Sequence, residues 1–100
     1  MNIDARVRER ITPERVEDFR RDGAVCVRQL LSADEVALLR DGIDANLGKP
    51  SPRAKVASRP GDPGFFIEDF CNWQDNEAYR RVIFDSALPA AAGLLTGSRT

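Results

Sequence analysis

Only two short stretches of this chain read as β-strands, residues 24–28 and residues 65–70 (a strand or an extended aromatic anchor), with a helix and a long proline-rich loop between them. Two strands of that length do not hold a sheet in water, because three or more with an apolar face are normally needed. The remainder must be helix and loop. The expected fold class is therefore α+β, in which helices and edge strands cover a sheet that these residues do not complete.

The helices are marked by their ends. Thr12 can cap a first helix, Pro13 suits its opening turn, and Glu14 favours its positive end. Val16 and Phe19 fall three apart on one face, while Arg15, Glu17, Asp18 and Arg20 face water. Gly23 stops that helix by accepting a left-handed backbone. Ser32-Ala33-Asp34-Glu35 is a capping box. It predicts a second helix over 33–47 whose apolar face is Val36, Leu39, Ile43 and Leu47. Gly48, Pro50 and Pro52 end it. A third helix is expected over 76–84, burying Tyr79, Val82 and Ile83. A fourth runs from Ser86 as its cap to about Thr96, with Leu88, Ala92 and Leu95 on one face and Gly97 at its end.

Residues 24–28, from Ala24 through Val25, Cys26 and Val27 to Arg28, are almost continuously apolar, which predicts burial on both faces inside a larger sheet. Cys26 reads as a small buried hydrophobe, and Cys71 is too far along the chain to imply a disulfide framework. Residues 48–64 hold four of the six prolines and read as an irregular loop, either a mobile surface connection or a functional lid. Lys49, Arg53, Lys55 and Arg59, opposed by Asp62, make it basic. It is either a plain solvated loop or an attractor for an anionic substrate. Glu68 and Asp69 are adjacent, so on a strand they point to opposite faces and do not pair as catalytic carboxylates. Trp73 is expected to pack with Phe66 or Phe70.

Charge narrows the function classes. The 100 residues include 15 Lys and Arg against 16 Asp and Glu, a formal net charge of -1. That lacks the basic excess of a nucleic-acid binder. Asp4 and Glu9 interrupt Arg6, Arg8 and Arg10, so residues 1–11 are expected to be a flexible, solvated lead-in. Met1 opens onto a charged segment rather than a signal-peptide core. The longest mostly apolar run, 87–95, falls short of the about 20 residues a spanning helix needs. The expectation is a cytoplasmic protein with reduced thiols, with neither nucleic acid nor membrane as a partner.

There is no histidine. Histidine is the commonest metal ligand and the usual acid or base near neutral pH. Without it the chain builds no His-ligated metal site and no Ser-His-Asp or Cys-His nucleophile. The GxxxxGK[ST] and GxGxxG phosphate motifs are missing, as is any zinc-ligand spacing. Gly97-Ser98 lacks the second glycine of a GxSxG elbow. No catalytic, cofactor-binding or metal residue is assigned, and the chain alone is not expected to catalyse.

The order of the elements resembles the opening of phytanoyl-CoA dioxygenase-like proteins. The run from Ile11-Thr12-Pro13 through Phe19 and Gly23 to Val25-Cys26-Val27-Arg28 is similar to a family helix ending in Phe-x-x-x-Gly that leads into a buried strand. Leu30-Leu31 with the capping box, then Phe66-Ile67-Glu68-Asp69-Phe70 with Trp73, then Ser86 through Ser98, follow in the family's order. The resemblance covers residues 11–98. It implies a double-stranded β-helix (jelly-roll) carrying Fe(II) on a His-x-Asp…His triad, with 2-oxoglutarate held partly by a basic side chain. Hydroxylation or a related oxidation of a small organic substrate would be the reaction. None of those ligands maps onto this sequence, so Fe(II) and 2-oxoglutarate are implied for a full-length family member only.

On this reading residues 1–100 are the single N-terminal part of such a domain. The helices buttress its β-helix, strand 24–28 joins the major sheet, and the partner is the remainder of the catalytic domain. Two other readings compete. A stand-alone interaction module would bury Val25, Val27, Phe65 and Phe66 against a partner or a second copy. A helix-turn-helix DNA binder would pair the helices beginning at Pro13 and Ala33, against the intervening strand and the balanced charge.

Overall fold

The structure, a computed structural model, describes residues 2–99. Met1 and Thr100, the two ends of the expected 1–100 unit, lie outside them. Helices α1 (Ile3–Arg10), α2 (Pro13–Asp22) and α3 (Ala33–Gly48) come first. Strands β1 (Lys55–Val56) and β2 (Ile67–Glu68) follow, then a 3-10 turn at Trp73–Asp75, α4 (Glu77–Asp85) and α5 (Leu88–Thr96). The strands pair antiparallel, with Lys55 opposite Glu68 and Val56 opposite Ile67. A mixed helical chain with two short antiparallel strands is compatible with part of a dioxygenase fold.

Helix ends fall where the capping side chains put them. Thr12 Oγ1 accepts the Arg15 amide at 3.3 Å, and Gly23 closes α2 at φ 77°, a backbone that a Cβ would resist. In the capping box Ser32 Oγ accepts the Glu35 amide at 3.1 Å, and Glu35 Oε1 accepts the Ser32 amide at 2.8 Å. Asn76 Oδ1 caps α4 by accepting the Tyr79 amide at 3.2 Å. Ser86 serves two helices: its Oγ donates to the Val82 carbonyl at 2.5 Å and accepts the Leu88 amide at 3.1 Å. Ser86 is thus the C-cap of α4, whereas α5 starts one residue beyond the expected cap, with Ala87 at its N-cap.

The N-terminal lead-in is not a solvated stretch but helix α1, capped by Asn2, whose Oδ1 accepts the Ala5 amide at 2.7 Å. Its apolar residues explain the difference. Ile3, Val7 and Ile11 recur every four residues, which sets them on one helical face. Val7 and Ile11 are buried with Ala87 and Ala91, and Ile3, Val16, Val27, Leu30 and Leu95 pack around them. This small core joins the two ends of the chain.

Residues 24–28 do not form the expected strand. Among the described residues β1 and β2 pair only with each other, so this extended stretch has no ladder to join. A strand buried on both faces needs neighbours for its backbone N–H and C=O groups. Cys26 is accordingly exposed, Val25 and Val27 are half-buried, and the segment turns at Gln29, a non-glycine residue at φ 57°.

The expected apolar faces are also rotated or uncovered. On α3, Val36, Ile43 and Leu47 are exposed, and the buried residue is Gly42. On α4, Val82 is buried but Ile83 is exposed. On α5 the buried residue is Ala91, with Ala87 preceding it, while Leu88 and Ala92 face outward. The helices therefore bury little against one another. The accessible surface of 7639 Å² exceeds the roughly 5,700 Å² expected of a compact monomer of this mass. The radius of gyration, 16.4 Å, exceeds the about 13 Å of a compact 100-residue domain.

Candidate functional site

The most elaborate polar cluster forms where α3 passes α4. Asn76 Nδ2 donates to the Gly42 carbonyl at 2.9 Å, tying the start of α4 to the middle of α3. Asn46, one turn further along α3, accepts at its Oδ1 from Asn72 Nδ2 at 3.1 Å and from the Tyr79 hydroxyl at 3.2 Å. Its Nδ2 donates to Asp69 Oδ2 at 2.9 Å. Asp69 accepts, in addition, the Ser51 amide at 2.8 Å and the Ser51 hydroxyl. Asn46, Ser51, Asn72 and Asn76 border a cleft of about 690 Å³ that Asp41 and Lys49 also line.

Hydrogen bonds fix the charge states here. The Ser51 hydroxyl and amide, helped by Asn46, hold the Asp69 carboxyl down to about 2 against the opposing effect of burial. Asp69 is therefore a carboxylate at neutral pH with its acceptor capacity committed to neighbours, and a poor base. Burial, reinforced by the Asp69 charge, pushes the Tyr79 phenol up, so it stays protonated and donates. The cluster is arranged to hold backbone in place rather than to move protons.

A second polar link joins α1 to α3. Arg6 Nη1 donates to Glu35 Oε1, the oxygen that also accepts the Ser32 amide, and to the Leu30 carbonyl at 3.0 Å. Burial works to raise the Glu35 pKa, but the Ser32 amide and the Arg6 guanidinium outweigh it and hold the group below its usual range.

Several residues singled out in the sequence are placed differently from expectation. Glu68 and Asp69 do diverge: Glu68 is exposed opposite Lys55, and Asp69 enters the cluster. The loop 48–64 is not irregular throughout, because β1 lies within it. In its basic set Arg53, exposed like Lys49, Lys55 and Arg59, donates from Nε and Nη2 to the Phe70 and Cys71 carbonyls at 3.1 and 2.8 Å. Trp73 meets Phe84, not Phe66 or Phe70, with ring centroids 5.5 Å apart and planes at 65°. The Arg80 guanidinium lies 6.0 Å from the Trp73 ring and 5.7 Å from that of Phe84. Arg80 and Phe84 are one helical turn apart and so share a face of α4.

The asparagine cluster has almost no signature in the sequence. Asn76 is visible as a helix cap, but nothing local connects Asn46 to Asn72, 26 positions away. Among the described residues no three His, Cys, Asp or Glu side chains converge as metal ligands do. The residues of this chain thus do not fit the Fe(II) centre that the family resemblance implies.

Over 89 residues the chain is 35% identical to the ectoine dioxygenase of Stutzerimonas stutzeri (strain A1501), an alignment that covers 87% of this chain and 29% of that protein. The likeness is to a dioxygenase. It supports a relationship to dioxygenases, and so to oxidoreductases, at that coarse level. The chain spans less than a third of the length of this curated relative. No family model matches the chain, and no solved structure matches it. Among the described residues, no helix is long and apolar enough to cross a membrane.

Proposed function

We propose that this chain is the helical N-terminal cover of an Fe(II)/2-oxoglutarate-dependent dioxygenase of the phytanoyl-CoA dioxygenase-like kind. The jelly-roll barrel, the iron ligands and the 2-oxoglutarate site belong to further sequence, and a small organic molecule is the substrate. The observation that carries this reading is the 35% identity to a dioxygenase over 87% of the chain. The apolar surface supports it: Phe65 is 68% exposed and Phe66 59%, with Val36, Ile43, Leu47 and Phe70 also uncovered. In this reading the remainder of the catalytic domain covers those side chains. The chain contributes packing, not chemistry, and no catalytic step is assigned to it.

The same exposed surface favours a second reading, a stand-alone interaction module without catalysis. Sequencing the encoding DNA past codon 100 separates the two. The expected result is an in-frame continuation with His-x-Asp, a distal His and a following Arg, whose product turns over 2-oxoglutarate in an iron-dependent manner. A stop codon directly after Thr100 overturns it, and a defined oligomer in sedimentation would then favour the module.

A further inference from the structure

Residues 51–69 form a strap whose two ends meet at one carboxylate. At its start Ser51 gives both its amide, at 2.8 Å, and its hydroxyl to Asp69, the residue that closes the strap. A second stitch lies beside the first, from the Arg53 guanidinium to the carbonyls of Phe70 and of Cys71, a non-glycine residue at φ 53°. Inside the strap the ladder is only two residues per strand. It is extended by the Ala57 amide on the Phe66 carbonyl at 2.8 Å, the Phe66 amide on Ser58 Oγ at 3.1 Å, and the Arg59 amide on Asp62 at 2.6 Å.

Packing does not hold this piece down. Val56, Phe65 and Phe66 are all exposed, and so short a hairpin is not stable alone. Among the described residues its side-chain bond to helix α3 is the one from Asn46 to Asp69. We propose that Asp69, bonded to Ser51 within the strap and to Asn46 of α3, is a conformational latch that pins the closing end of the 51–69 strap to α3, and that its release frees the strap as one unit while the helices stay folded. This inference rests on the clasp geometry and is independent of the dioxygenase reading.

Limited trypsin digestion of the whole chain tests it. Lys49 and Arg59 precede prolines and resist cleavage, which leaves Arg53–Ala54 and Lys55–Val56 as reporters within the strap. Ser51→Ala and Asp69→Asn should each be cut several-fold faster at those two bonds, with cleavage after Arg40 in α3 and Arg81 in α4 unchanged. Ser51→Thr, which keeps the hydroxyl, should restore the slow rate. Faster hydrogen exchange at the Ser51 amide in Asp69→Asn gives the same readout without protease. Unchanged strap cleavage in both variants overturns the latch. So does equal acceleration at all four bonds, or a parent chain cut at similar rates throughout.

Discussion

Gly42 of α3 lies so close beneath Ala78 of α4 that a Cβ built on it would stand 2.8 Å from the Ala78 Cβ. The same atom would be 3.1 Å from a Tyr79 ring carbon. Neither neighbour is the free end of a flexible side chain, so the approach of the two helices depends on the absent side chain. The bond from Asn76 to the Gly42 carbonyl, and the cluster built on it, depend on that approach.

Gly42→Ala is therefore expected to destabilise the chain despite improving helix propensity. The propensity gain is about 1 kcal/mol and the overpacking cost about 1–3 kcal/mol, so the clash wins. Urea unfolding checks this. Adding Ala78→Gly should recover part of the loss, and equal stability of Gly42→Ala and the parent would refute the close packing.

Removing Arg6 should loosen α1 from the capping box of α3. The Arg6 and Glu35 side chains are 14% and 17% exposed, so Arg6→Ala leaves a partly desolvated carboxylate and an unmet Leu30 carbonyl. A loss of about 1–3 kcal/mol is expected. The folded pKa of Glu35 lies below its unfolded value, so its contribution is present above the ordinary carboxylate range and lost as pH falls through the folded value. Thermal midpoints measured on acidification should fall less steeply in Arg6→Ala than in the parent.

The Ser51–Asp69 clasp has its own acid window. Its carboxyl is depressed from 3.8 to about 2, so the contribution is complete above the unfolded value and disappears as pH falls from 3.8 towards about 2. A carbon-13 titration of the Asp69 carboxyl should report the low midpoint, and Ser51→Ala should move it upward. An unshifted midpoint near the ordinary value in the parent chain would contradict the geometry.

Trp73 is the only tryptophan, and its fluorescence should report the contact with Phe84. Phe84→Leu and Arg80→Ala are each expected to shift its emission, because each removes a group packed on the ring. Phe66→Leu and Phe70→Leu should leave it unaltered. A response to Phe66 or Phe70 instead would restore the partners that sequence proximity favours.

Local chemistry was readable and long-range pairing was not. The Thr12 cap, the Ser32–Glu35 capping box and the left-handed Gly23 all stand where the residues place them, because each involves atoms within four positions of one another. The buried face of α3 is not legible for the opposite reason. Val36, Ile43 and Leu47 form an apolar stripe by periodicity, but what buries a stripe is another element, and α4 packs on the Gly42 side. Helix α1 is hard to see in the sequence because its charges hide the regular spacing of Ile3, Val7 and Ile11. Of the site, the helix over 76–84 is legible, but the bonds of Asn46 to Asp69, Asn72 and Tyr79 are not.

By itself, the sequence determined both ends of α2 and the start of α3, the absence of histidine chemistry and the resemblance to a dioxygenase family, since these depend on residue type and near spacing. Only the tertiary structure decided that residues 24–28 remain an unpaired extended stretch, that Trp73 turns to Phe84, and that Asp69 joins Ser51 to Asn46. Those outcomes require surfaces distant in sequence to meet. Which surfaces meet is set by the surface and hydrogen bonds each pairing satisfies, and no short window of residues contains both partners.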